Sequence, residues 1–198
     1  MLVFIRKNLV LLATPKTGST ALHMALAGQA DMVFRNMPQV KHMGLQRFAR
    51  FVAPLIAQYT DQRPETCALI REPEDWLGSW YRYRARPERE GHPNSTAGLS
   101  FDAFVEGYLS DPSPPWAQVG AQGRFLSNPR GGGSVDVLFR YEAMDRFTAW
   151  LSERLETEIT LPVANASPPG APELSDALRA RLRAERPRCF ALYASARG

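Results

Sequence analysis

A lysine, a glycine and several hydroxyl residues follow an apolar run near the start of the chain. Residues 9–13 predict a buried strand, and from Ser19 onward the apolar residues recur at helical spacing. The first N–H groups of a helix lack intrahelical partners and carry partial positive charge. The strand, glycine turn and helix start therefore predict a phosphate-binding loop, in which Lys16 adds a full charge and Ser19 and Thr20 add hydroxyl donors.

This loop differs from the Walker loop of ATPases. A Walker loop has a glycine, four further residues and then Gly-Lys-Ser/Thr, whereas here Lys16 precedes Gly18 and no glycine opens the loop. The alternative interpretation is an ordinary strand-to-helix turn with a solvated lysine.

A second polar pair follows a second apolar segment. Arg71 directly follows the predicted strand Thr66–Ile70, and Ser79 lies eight residues further, about two turns into the predicted helix that Pro73 begins. A guanidinium fork and a hydroxyl donor are suited to one phosphate. A salt bridge from Arg71 to Glu72 or Glu74, with Ser79 as a small packing residue, is the alternative.

The bulk composition is that of a single globular domain over residues 1–198. The net charge is +4, which weakly favours an anionic ligand. Cys67 and Cys189 lie far apart in apolar contexts and indicate packed thiols. The three histidines are not clustered, so no metal site is predicted. No segment is long enough to cross a membrane and the N-terminal apolar run is too short for a signal peptide, so we expect a cytoplasmic protein.

Apolar strands alternating with helices predict an α/β domain with a central parallel sheet. The third strand is predicted at Val135–Phe139. Ligands of such sheets bind at the carboxyl ends of the strands. We expect four candidate residues there, namely Lys16, His42, Arg71 and Tyr141.

Other elements are predicted by helical spacing and by breakers. The helix in residues 46–59 is expected to break at Pro54, and residues 130–133 are predicted as a tight glycine loop. Residues 162–173 are rich in proline and predicted to be irregular. Three further helices are predicted over residues 100–110, 116–126 and 144–155, and Ser100 is the predicted cap of the first. Two short helices separated by Pro187 are predicted after Leu174.

Together, the two polar segments resemble the motifs of sulfotransferases that use 3′-phosphoadenosine 5′-phosphosulfate (PAPS). Residues 15–20, Pro-Lys-Thr-Gly-Ser-Thr, resemble the family's 5′-phosphosulfate loop, and Arg71 with Ser79 resembles its 3′-phosphate motif. The resemblance implies a three-layer, P-loop NTPase-like fold whose central sheet is flanked by helices. It also implies PAPS as donor, 3′-phosphoadenosine 5′-phosphate (PAP) as product, and no metal.

The resemblance also implies roles for individual residues. Lys16 would contact the 5′-phosphate and the oxygen that bridges to sulfur, while Arg71 and Ser79 would hold the 3′-phosphate. Tyr141 would lie near the adenine, although Ala143 departs from the family's Tyr-Glu-Asp-Met pattern. The cradle around the 5′-phosphate would be formed by Thr17, Gly18, Ser19 and Thr20.

His42 is the candidate catalytic base, because the acceptor must lose its proton as it attacks sulfur and imidazole titrates near neutrality. Lys41 is a candidate for stabilising charge on the leaving phosphate oxygen. The alternative is a histidine at a strand end beside a surface lysine. Some branches of the family use glutamate as the base, so Glu72 and Glu142 remain alternatives to His42.

The acceptor is expected to be a small molecule or a glycan, and neither its identity nor the oligomeric state is predicted. Arg82, Arg84, Arg86 and Arg89 form a basic ridge that attracts an anionic acceptor or is simply solvated. The neighbouring aromatic residues of the same helix either line an acceptor site or pack in the core.

Two other functions are compatible with parts of the sequence. A Mg-ATP-dependent kinase or NTPase would need an acidic residue after a strand, where Arg71 stands. A non-enzymatic anion- or nucleic-acid-binding module is suggested by the pI of about 9.3. No nucleic-acid motif or dense basic run supports the second alternative, and no membrane partner is expected.

Overall fold

The computed structural model describes residues 1–128, 133–162 and 172–198. Three residues of the predicted glycine loop, 130–132, and most of the proline-rich segment, 163–171, lie outside this range. Contacts divide the described chain into two compact units. The first contains residues 1–71, 122–162 and 195–198, and the second contains residues 72–121 and 172–194.

Five strands of the first unit form one sheet, in the order β3-β1-β2-β4-β7. A separate two-stranded sheet pairs β5 with β6. The strands are β1 (Leu2–Phe4), β2 (Leu9–Leu11), β3 (Met32–Val33), β4 (Glu65–Ile70), β5 (Ser127–Asn128), β6 (Gly133–Ser134) and β7 (Val137–Arg140).

The five-stranded sheet is mixed, so the prediction of a central parallel sheet is correct for three strands but not for the whole sheet. Strands β2, β4 and β7 are parallel, but β1 runs antiparallel to both β2 and β3. The antiparallel pairing of β1 with β2 follows from the short connection between them, a tight turn in which Asn8 adopts φ +49°. A parallel pair needs a crossover of a dozen or more residues, which this connection does not provide.

Helices occur in both units. The breaks predicted at Pro54 and Pro187, and the helix beginning at Pro73, are confirmed. The helices are α1 (Ser19–Leu26), α2 (Pro38–Lys41), α3 (Leu45–Phe51), α4 (Ala53–Ile56), α5 (Pro73–Arg84), α6 (Phe101–Leu109), α7 (Gln122–Phe125), α8 (Met144–Leu155), α9 (Asp176–Glu185) and α10 (Pro187–Ser195).

The predicted helix over residues 116–126 is wrong. This stretch contains a 3-10 turn, Pro115–Ala117, and the short helix α7. Between them Gly120 adopts φ +75°, a left-handed conformation that ends a right-handed helix. The apolar spacing alone did not reveal this interruption.

One core cluster of the first unit lies on one face of the sheet. Leu11, Cys67 and Leu69 pack in a single cluster with Leu22 of α1 and Phe147 of α8. The opposite face is also buried, since Val3, Val10, Ala68 and Ile70 are each fully buried. A sheet buried on both faces is typical of α/β proteins, so the chain is a mixed α/β protein with its sheet flanked by helices.

The second unit has its own aromatic core. Trp76 of α5 packs with Phe104 and Tyr108 of α6 and with Leu182 of α9. Ser100 caps α6 by accepting a hydrogen bond from the Ala103 N–H at 3.1 Å, as predicted. Trp76, one of the aromatic residues of α5, is therefore a core residue. In the described part of the chain, no helix has both the length and the apolar content to span a membrane.

Asp136 connects β4 to the segment that leads into β7. Its Oδ2 accepts hydrogen bonds from the N–H and the hydroxyl of Thr66, at 2.8 and 2.6 Å, and it forms a salt bridge with Arg63. Burial raises the pKa of Asp136, but the hydrogen bonds from Arg63 and Thr66 outweigh burial, so the pKa lies below its ordinary value. The ionised carboxylate therefore stabilises the pairing of two strands whose ends carry candidate site residues.

We expect Asp136→Asn to lower the free energy of unfolding at pH 7 by about 1–2 kcal/mol, because charged hydrogen bonds are replaced by neutral ones. A depressed carboxyl pKa adds stability at high pH that is lost as the folded-state group protonates. The difference between wild type and variant should therefore shrink as the pH falls below 3.8, the ordinary Asp value. Urea unfolding across a pH series measures this, and a pH-independent difference would contradict it.

Candidate functional site

The loop between β2 and α1 is held in shape by its own backbone and by Thr17. The buried Thr17 hydroxyl donates to the carbonyl of Thr14 at 2.9 Å. Just before the loop, the Leu12 N–H donates to the backbone carbonyl of Cys67 in β4 at 2.9 Å. Lys16 and Gly18 both have positive φ, +65° and +70°. A positive φ is unfavourable for lysine, so the surrounding structure maintains this loop conformation.

The loop leads directly into the N-terminus of α1. Gly18 is the N-cap, no side chain caps the helix, and its first turn has no acidic residue. Ser19 is buried and Thr20 is exposed. A helix start without a side-chain cap can donate its first N–H groups to an anion, which the helix dipole also favours.

Arg71 lies at the carboxyl end of β4 and reaches this loop. Its side chain is only 5% exposed, and its guanidinium donates to the carbonyl of Lys16 at 3.3 Å. The same guanidinium lies over the Tyr141 ring, 4.7 Å from the ring centroid. Because Tyr141 directly follows β7, the structure brings together candidates that follow three different strands, β2, β4 and β7.

Gly18 provides the space for this arrangement. A Cβ atom at Gly18 would lie 2.9 Å from Cε of Met144 and 3.5 Å from the Tyr141 ring. The segment after β7 therefore packs closely against the loop. The predicted position of Tyr141 near the adenine stays a prediction.

Gln122 fixes the backbone of Arg71 and was missed by the sequence analysis. Its side-chain oxygen accepts from the Arg71 N–H at 2.9 Å, and its side-chain nitrogen donates to the Arg71 carbonyl at 2.8 Å. Gln122 is 1% exposed. It thus satisfies both backbone groups of Arg71 where β4 ends. A lone glutamine in a segment expected to be helical carries no signal of this role.

His42 follows the short helix α2 and not a strand, so that part of the prediction is wrong. It nevertheless lies next to the loop, because its Nδ1 is 2.6 Å from the carbonyl of Ala13, just after β2. The carbonyl can only accept, so Nδ1 carries the proton and, in the neutral ring, Nε2 keeps its lone pair. This is the tautomer in which Nε2 can accept a proton.

Burial and neighbouring positive charges lower the pKa of His42. Burial has the largest effect, the hydrogen bond to Ala13 opposes it, and the charges of Lys41, the Met1 amino group and Lys16 lower the pKa further. The imidazole is therefore neutral at pH 7. Lys41 lies next to the start of α1, since its Nζ donates to the Thr20 hydroxyl at 3.2 Å. Burial lowers the pKa of Lys41.

Ser79 belongs to the second unit. It lies on α5 and is 1% exposed, and among the described residues its hydroxyl has no hydrogen-bond partner. Its role as a phosphate ligand stays a prediction.

The two glutamates that were alternatives to His42 occupy different settings. Glu72 caps α5 by accepting from the Asp75 N–H at 2.8 Å, and burial raises the pKa of its carboxyl. Glu142 is an exposed residue after β7. The described residues include no group of three or more metal-binding side chains. The choice of His42 as the base stays a prediction.

Searches of protein-family models, curated proteins and solved structures found no match to this chain. The functional argument therefore depends on the residues and their geometry.

We expect Gln122→Ala to lower the free energy of unfolding by about 2–4 kcal/mol, because it leaves a buried N–H and a buried carbonyl of Arg71 unsatisfied. The matched control is Gln118→Ala, which removes an exposed glutamine whose side chain donates to the Ser113 carbonyl. Urea unfolding of both variants measures the difference. Equal effects of the two substitutions would contradict the role assigned to Gln122.

Proposed function

We propose that the protein is a sulfotransferase that moves the sulfuryl group of PAPS to a hydroxyl, or less readily an amine, of an acceptor. The observation that carries the proposal is the contact of the Arg71 guanidinium with the Lys16 carbonyl, at a loop that leads into an uncapped helix start. Two cationic residues and free helix amides suit a ligand with several phosphate charges.

The finer fold proposed is the three-layer, P-loop NTPase-like arrangement. Its support is the parallel order of β2, β4 and β7, with candidate residues following each strand. At the β2 edge the sheet continues through β1, which runs antiparallel to this group, and β3, which runs antiparallel to β1.

The residues of the loop fit the charged end of the donor. Lys16 and the backbone of Gly18, Ser19 and Thr20 would hold the 5′-phosphosulfate, while Tyr141 would lie near the adenine. Arg71 would bind the 3′-phosphate, and Ser79 is the predicted hydroxyl donor to it. The hydroxyl of Thr17 is already donated to Thr14, so Thr17 contributes by shaping the loop and through its backbone.

His42 would take the acceptor proton on Nε2. The acceptor oxygen forms a bond to sulfur while the bond between sulfur and the 5′-phosphate oxygen breaks, and the electron pair of that bond leaves on PAP. The Ala13 carbonyl holds the ring with Nδ1–H and stabilises the imidazolium that forms. Lys16 and Lys41 offset the negative charge that develops on the leaving oxygen.

A Mg-ATP-dependent kinase is less well supported. Such enzymes hold the metal with a hydroxyl and a carboxylate near the phosphates. Here the residues directly after β4 and β7 are Arg71 and Tyr141. An arginine that reaches the loop adds positive charge at the position where a kinase needs a metal-binding carboxylate.

We expect Lys16→Ala and Arg71→Ala each to weaken PAP binding by about 10- to 100-fold, the loss typical of a charged hydrogen bond. Lys7→Ala is the matched control, because Lys7 pairs with Glu156 outside the site. Isothermal titration calorimetry of PAP measures the three affinities. Wild-type affinity in both site variants would disprove the proposed donor site.

We expect His42→Ala to keep PAP affinity within about threefold while PAPS turnover falls by about 100-fold or more, as for loss of a general base. Turnover is followed as release of the labelled sulfuryl group from PAPS to any acceptor, including water. Because the pKa of His42 is lowered, the wild-type rate should fall only below pH 6.5. A wild-type rate that already declines above pH 6.5, or His42→Ala turnover near the wild-type rate, would contradict His42 as the base.

A further inference from the structure

Three arginines surround two aromatic rings at the C-terminal end of α5, in the second unit. The Arg84 guanidinium lies 5.5 Å from the centroid of the Trp80 ring. Those of Arg86 and Arg89 lie 5.2 and 4.3 Å from the centroid of the Tyr83 ring. The two rings meet edge to face with centroids 5.9 Å apart. We call Arg84, Arg86 and Arg89 the arginine cluster.

No carboxylate in the described part of the chain forms a salt bridge with the arginine cluster. Arg82, which precedes it, is different because it pairs with Asp75 at 3.5 Å. Arg84 is only 7% exposed, and it donates to the carbonyls of Pro115 and Gln118 at 2.9 and 2.8 Å. A buried cation with only neutral partners is costly.

The positive charges of the cluster also act on one another. Burial lowers the pKa of Arg84, and the nearby charge of Arg89 lowers it further. The like charges are held together by Tyr83, whose ring faces both Arg86 and Arg89 and whose hydroxyl accepts a hydrogen bond from Arg89. An anion bound among the guanidiniums would relieve both the burial cost and the repulsion.

The backbone that carries the cluster is fixed. The Thr96 hydroxyl donates to the Tyr81 carbonyl at 2.8 Å, and the Thr96 N–H donates to the Arg84 carbonyl at 3.3 Å. The side-chain hydroxyl of Tyr81 donates to the Leu99 carbonyl at 2.6 Å. Hydrogen bonds with residues after α5 therefore hold the last turn of this helix in place. A site that is already fixed loses less conformational entropy on binding.

We propose that the arginine cluster is a binding site for an oxyanion, a carboxylate or a sulfate, either free or carried by a sugar. Guanidinium forks match the geometry of both groups, and the aromatic rings hold the forks in place. This site lies within the second unit and its existence does not depend on the proposed sulfotransferase activity.

The test uses the indole N–H NMR signal of Trp80, assigned with Trp80→Phe, because the Trp80 ring contacts Arg84 and the Tyr83 ring. The full-length protein is titrated with sodium sulfate and with sodium glucuronate, and sodium chloride at matched ionic strength is the control. We expect a saturable shift with at least one of the two anions. Sulfate alone would identify a sulfate-selective site, and glucuronate would show that a sugar carboxylate binds.

The double variant Arg86→Ala/Arg89→Ala should weaken this binding by at least about tenfold, as expected for loss of charged hydrogen bonds. The control Arg47→Ala/Arg181→Ala removes the same charge at two exposed arginines outside the cluster and should leave the binding unchanged. Tyr83→Leu retains every arginine but removes the ring that holds two of them, so it should also weaken binding. No shift beyond that of chloride, or equal losses in both double variants, would overturn the proposal.

Discussion

The candidate site depends on how the backbone of Arg71 is held at the end of β4. Gln122 satisfies the N–H and the carbonyl of that residue, so the strand ends there without an unpaired buried group. The side chain can then turn from the sheet toward the Lys16 carbonyl and the Tyr141 ring. The two hydrogen bonds between Gln122 and Arg71 therefore position the guanidinium that the proposed donor site requires.

Positive charge is concentrated near the loop, and this explains the chemistry proposed for His42. Lys16, Lys41 and the start of α1 all favour an anion. Burial lowers the pKa of His42 most, and the charges of Lys41, the Met1 amino group and Lys16 lower it further. An anionic donor and a neutral base are both required for proton removal coupled to sulfuryl transfer. The loop environment therefore supports both halves of the proposed reaction.

The sequence predicted the parts of the site that have local signatures. The apolar run, Gly18 and the helical spacing after Ser19 predicted the loop and α1, and Pro73 predicted the start of α5. The contact of His42 with Ala13 and the contact of Gln122 with Arg71 join residues 29 and 51 positions apart. Such hydrogen bonds depend on tertiary packing, so no local pattern predicts them. The antiparallel direction of β1 was not predicted, because an apolar run indicates a strand but not whether it pairs parallel or antiparallel.

The most direct test of the central claim is a thermal-shift titration of the wild-type protein with PAP, compared with ATP in the presence and absence of Mg²⁺. A ligand that binds only the native state must raise the melting temperature. The account predicts stabilisation by PAP without metal and a weaker effect of ATP. Stabilisation by Mg-ATP with no response to PAP would contradict the sulfotransferase proposal and support a kinase.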